Sequence, residues 1–162
     1  MSTLRATSGT KLLLIPRILG GAPLVFFGLM HLVGAFAGPD AGMPMKPLLE
    51  AAGMPAPALG AIVAPLVQLV AGLLLLGGAF ARVGAVLAIA TMLGALYTHM
   101  KIPNDAWPMP TADNPDAVAE EPVVMMGLAG LVIVCSAIVA WLGAGGLSLD
   151  GRGAASGEAQ EA

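Results

Sequence analysis

The chain has 162 residues, of which 57% are hydrophobic and 10% charged, whereas a typical soluble domain carries about 25% charged residues. With a mean hydropathy of +0.88, it has too little polar surface to cover a globule in water, and a lipid bilayer is the expected surroundings. The net charge of −3 and the seven Lys and Arg in all exclude a nucleic-acid binder, which needs clustered cations to hold phosphates.

Taken in chain order, four stretches approach the roughly 20 apolar residues that a bilayer core requires. The first, 12–37, is apolar except for Arg17 and His31. Its basic start (Arg5, Lys11) and the Ala35-Phe36-Ala37 triplet also resemble a cleavable secretory signal. The run is longer than a signal core and holds Arg17 inside it, so a retained span is expected. A loop over 38–57 follows, with Pro39, Pro44, Pro47, Pro55 and Pro57 and a short helix expected at Pro47 to Ala52. The second span, 58–81, is interrupted only by Gln68, and a tight turn at Ala81-Arg82 leads into the third, 83–100, which ends in Thr98-His99-Met100. The next loop carries Asp105, Asp113, Asp116, Glu120 and Glu121. The fourth span, 122–144, holds no charge, and the small, polar tail 151–162 is expected to be disordered.

Open backbone in lipid must be helical or closed into a barrel, and no alternating strand pattern is present. The expected fold is therefore all-α: one transmembrane domain over 1–150, an integral membrane four-helix bundle running up-down-up-down. Arg5, Lys11, Arg17, Arg82 and Arg152 fall on one side of four spans, and only Lys46 and Lys101 on the other. By the positive-inside rule both termini are cytoplasmic, and the protein is a multi-pass component of the plasma or inner membrane.

Few residues could carry chemistry. Arg17 shares a helical stripe with Gly21, Leu24, Gly28 and His31. It either snorkels to the surface, binds an anionic headgroup, or forms a structural ion pair with Asp150 on the same side. Gln68 is a polar group in mid-span, expected to hydrogen-bond across to another helix. His31 and His99 are the only histidines, and both fall in the exterior thirds of their helices. They are the candidate cofactor-binding residues, expected to face one shared cavity, with a structural role as the bland alternative. Two histidines can ligate haem or contribute to a copper site, but two ligands are too few to assign a metal site. No catalytic dyad is visible. Cys135, the single cysteine, lies within the fourth span, where an apolar setting keeps a thiol protonated and inert.

The stretch PLVQLVAGLLLLGGAFARVGAVLAIATML, Pro65 to Leu93, resembles the central signature of the DoxX family: a glycine-rich helix, a tight turn with one arginine, then an alanine-rich helix. LGAGGLSLD, Leu142 to Asp150, resembles the family's closing motif, and Arg17 with Gly20, Gly28 and His31 fits its first helix. The resemblance implies a small bacterial four-helix membrane protein of a group linked to quinone-dependent or thiol-linked redox complexes. Family members often carry a glutamate in the second helix where this chain has Gln68, so an activity resting on that carboxylate would be lost here. Three readings follow: an accessory, non-catalytic subunit of such a redox complex; a quinone- or haem-binding oxidoreductase or electron carrier; and a small transporter. The expected partners are the lipid bilayer and either a redox enzyme complex or further copies of the chain. A quinone is the first cofactor to consider, ahead of haem or copper.

Overall fold

The computed structural model describes residues 10–38, 43, 45–102 and 122–150, the side chains of 122 and 123 excepted. Among these residues every element is helical. A 3-10 turn at Lys11–Leu13 leads into α1 (Leu14–Ala37), followed by the short α2 (Met45–Ala51), then α3 (Pro57–Gly77), α4 (Ala81–Lys101) and α5 (Pro122–Leu142). Four of these segments, Lys11–Ala37, Pro57–Gly77, Ala81–Lys101 and Val124–Leu142, are long and apolar enough to cross a membrane. The acidic loop and the tail over 151–162 lie outside the described residues.

The radial distribution of side chains is what lipid demands. Large apolar groups such as Phe36, Leu59, Leu73, Val86, Val134 and Trp141 are exposed, while Ala71, Ala81, Ala85 and Ala88 are fully buried. Lipid tails are as apolar as leucine, so close backbone approach between small residues drives helix association there. On α1 the buried residues Arg17, Gly21, Leu24 and Gly28 recur at helical spacing on one face. A Cβ on Gly72 of α3 would lie 2.8 Å from the Gly21 carbonyl oxygen, and one on Gly28 would lie 2.9 Å from the Leu69 amide. The backbones of α1 and α3 therefore touch directly at two levels. Gly84 brings α4 against α3 in the same way, with its Cβ position 3.1 Å from the Ala71 carbonyl. Helix α1 packs on α3, α3 on α4, α4 on α5, and α5 returns to α1 to close the bundle.

The turn between α3 and α4 falls at 78–80, a few residues earlier than Ala81-Arg82. Gly78 adopts a left-handed φ of +64° and its amide donates to the Leu74 carbonyl, ending α3 in the usual glycine C-cap. Arg82 thus belongs to the first turn of α4 and not to the connection. Similarly, α5 ends at Leu142 because Gly143 turns to φ +83°. The short helix in the first loop begins at Met45, two residues before Pro47.

Candidate functional site

The few polar groups of the spans gather at opposite ends of the bundle. One end joins the start of α1, the end of α3, the start of α4 and the segment after α5. There Arg17, 2% exposed, donates from Nε to the Leu75 carbonyl at 2.8 Å and from Nη2 to that of Leu76. Its Nη1 donates to the carbonyls of Ala144 at 3.2 Å and Leu147 at 2.7 Å. The last carbonyls of a helix have no intrahelical donor and carry the negative end of its dipole. One planar guanidinium with its fork of donors therefore satisfies the end of α3 and the chain beyond α5 together.

Asp150 does the reciprocal work at a helix start. Phe80 precedes α4 with a left-handed φ of +50° and offers no side-chain cap of its own. The Asp150 carboxylate accepts from the Phe80 amide through Oδ1 and from the Ala81 amide through Oδ2, each at 3.1 Å. Its own amide donates to the Gly78 carbonyl at 3.0 Å, and the Gly146 amide reaches Thr10. The segment 143–150 is thus a strap folded across the end of the bundle. Arg17 and Asp150 meet around the same turn, yet each bonds backbone groups and not the other. The ion pair found among the described residues is Lys46–Glu50, at 3.6 Å on the surface. Arg17 is tied down by the four carbonyls it meets.

The second polar group lies toward the opposite end. His31, Gln68 and His99 line one cavity of about 80 Å³ among α1, α3, α4 and α5, with Phe27, Met92 and Met125 among its walls. His31 Nδ1 is 3.0 Å from the carbonyl oxygen of Met43, a loop residue whose own amide donates to Met30 on α1. His99 Nδ1 is 2.8 Å from the Ala95 carbonyl one turn back. A carbonyl can only accept, so each Nδ1 carries a hydrogen. Gln68 is 5% exposed, and its Oε1 is buried without a hydrogen-bond partner among the described residues. A buried amide oxygen left unpaired costs about 1–3 kcal/mol, so a donor or a cation entering the cavity would be favoured there. The hydrogen bond expected from Gln68 to another helix is not made by Oε1.

Sequence spacing thus placed the histidines and Gln68 at useful depths but could not show that one cavity joins them. Met92, Met125 and the carbonyl of Met43 escaped notice, because methionine in an apolar span carries no signal beyond packing. Cys135 is buried at 5% exposure within α5, away from the cavity lining. No group of three or more His, Cys, Asp or Glu that could hold a metal occurs among the described residues.

A helical membrane protein with a buried arginine and aspartate at one end and an apolar-walled cavity toward the other is the class defined so far. The DoxX family model matches residues 12–101, more than half of the chain, and the protein belongs to the DoxX family. The match covers the first three spans and stops before Leu142 to Asp150, so the closing strap is known from its geometry and not from the family match. Comparison with curated proteins and with solved structures gave no match.

Proposed function

We propose that the protein is an accessory subunit of a quinone-linked or thiol-linked redox complex in the plasma or inner membrane. In this reading it crosses the bilayer up-down-up-down with both termini in the cytoplasm, and the His31–Gln68–His99 cavity opens toward the exterior half. The observation that carries the proposal is the cavity itself. A buried, unpartnered amide oxygen lies with two imidazoles in an otherwise apolar wall, and polar groups inside a membrane bundle mark ligand or proton sites by default. The accessory role is favoured over an enzyme because no acid–base pair or nucleophile accompanies that cavity among the described residues. A quinone ring does not fit it as it stands: about 80 Å³ is roughly half the volume that accommodates benzene in an engineered protein cavity. A haem is larger still, and no step is derived through either group. The volume suits a few waters or a single ion. A transporter has less support, since the described spans hold no charge pair along a path.

The test is affinity purification of the tagged chain from its native membranes in a mild detergent. A redox enzyme should co-purify, and Gln68→Leu should leave that association intact while slowing electron transfer by the complex. Recovery of the chain with no redox enzyme would overturn the accessory role.

A further inference from the structure

At the end of the bundle that holds the strap, a second arginine is open where the first is tied. Arg17 meets four carbonyls. Arg82, in the first turn of α4, meets one acceptor among the described residues, the Trp141 carbonyl at 3.3 Å from Nη2. Its Nε is buried with no partner among the described residues. A guanidinium presents a planar fork that suits two oxygens of one phosphate, and this fork has donors still unmatched.

The charge around it has mostly one sign. The described residues of this end carry Lys11, Arg17 and Arg82 against a single carboxylate, Asp150. Both oxygens of that carboxylate are turned to the Phe80 and Ala81 amides. An anion therefore complements Arg82, and at the depth of a helix end in a bilayer the anion at hand is a lipid headgroup.

A place for the rest of that lipid lies beside it. The outward face of α5 carries two rows at i, i+4 spacing, Ile133, Ala137 and Trp141 in one and Val134, Ile138 and Leu142 in the other. Ala137 is the gap in the first row, and together these side chains line a shallow apolar groove. Trp141 joins the groove to the arginine: its side chain is 82% exposed at the groove's end, while its carbonyl holds Arg82. Tryptophan at the end of a membrane helix is favoured at the level of the headgroups. From Ile133 to Leu142 the groove runs about 14 Å, at about 1.5 Å per residue. One leaflet's share of a hydrocarbon core about 30 Å thick is about 15 Å. An acyl chain lying along α5 thus reaches from the level of Arg82 to the middle of the bilayer.

We propose that the protein binds one anionic phospholipid, with its phosphate on Arg82 and one acyl chain in the α5 groove over Ala137. The site depends neither on the accessory role nor on which leaflet this end faces. The experiment is native mass spectrometry of the full chain purified in detergent and titrated with equal amounts of phosphatidylglycerol and phosphatidylcholine of the same acyl chains. One phosphatidylglycerol per chain should be retained, at least about fivefold ahead of phosphatidylcholine, the factor that one arginine is worth at an anionic surface. Arg82→Gln should remove that preference. Ala137→Leu, which fills the groove at an exposed position, should weaken retention by a similar factor with the arginine in place, and thermal melting confirms that both variants are folded. Excess glycerol 3-phosphate, which has the phosphate but no acyl chain, should leave the lipid bound. Its displacement of the lipid would overturn the groove. Equal retention of the two lipids would overturn the site, and that is also the result if Glu158 or Glu161 of the tail takes the place of the phosphate. Unchanged phosphatidylglycerol retention in either variant would overturn it as well. A lipid-free dimer that Ala137→Leu splits would do the same, since a second copy would then fill the groove.

Discussion

Replacing Arg17 with leucine should be among the most damaging single substitutions in the protein, lowering stability by at least about 1–3 kcal/mol, the cost of even one buried acceptor left unmade. The side chain is 2% exposed and supplies donors to four carbonyls on two separate parts of the chain. Leucine fills part of the volume but strands the carbonyls of Leu75 and Leu76 at the negative end of α3 and those of Ala144 and Leu147 in the strap. Buried acceptors left unmade cost about 1–3 kcal/mol each, partly relieved by water entering from the nearby interface. Lysine keeps the charge but has a compact head in place of the planar fork, so Arg17→Lys should fall between wild type and leucine. Denaturant titration in a fixed mixed micelle ranks the three. Equal stability of Arg17→Leu and wild type would contradict the clasp.

The second large effect is expected at Asp150. Alanine there removes the cap from the Phe80 and Ala81 amides, a loss worth about 0.5–2 kcal/mol for an N-cap. Phe80 can then relax from the left-handed region, where a non-glycine residue stores about 1–3 kcal/mol, so released strain offsets part of the loss. The net cost should stay within about 0.5–2 kcal/mol, and the strap should loosen with it. Asparagine retains one acceptor oxygen and should recover part of the loss. Hydrogen exchange read by mass spectrometry localises the effect: Asp150→Ala should raise exchange at the α4 start and over 143–150 while leaving α1 and α3 near Gly28 protected. A uniform rise across all helices, or none at 80–84, would count against a local capping role. The double variant with Arg17→Leu should cost less than the sum of the two, because both residues hold the same strap.

Much of this architecture was legible in the sequence because lipid leaves few alternatives. Long apolar runs must be helical, small residues must face inward, and the stripe Arg17, Gly21, Leu24, Gly28 read from spacing is buried as a face. The boundary at Ala81-Arg82 misplaced the turn because composition there is uniformly small; what ends α3 is the left-handed conformation of Gly78, a local preference that hydropathy does not register. The link between Arg17 and Asp150 was legible as a coincidence of depth and charge, while its form was not. Opposite charges suggest an ion pair, but each group here meets the opposite end of a helix dipole, and those dipoles have no letter in the sequence. The cavity was half legible for a related reason. His31, Gln68 and His99 are conspicuous as polar letters in apolar runs, whereas the sulfur of Met125 and the carbonyl of Met43 become relevant only when α5 and the loop are packed beside them.

In the proposed arrangement the chain crosses the bilayer four times, with the Arg17–Asp150 clasp at the cytoplasmic face and the histidine cavity toward the exterior. The basic residues divide five to two in favour of that orientation: Arg5, Lys11, Arg17, Arg82 and Arg152 against Lys46 and Lys101. Paired reporter fusions, one after Gly151 and one within 112–119, one reporter active only in the cytoplasm and the other only outside it, measure this directly. The expected result is cytoplasmic activity from the fusion after Gly151 and exterior activity from the fusion within the acidic loop. Exterior activity from the first, or cytoplasmic activity from the second, would contradict the arrangement and place the cavity on the wrong side of the membrane.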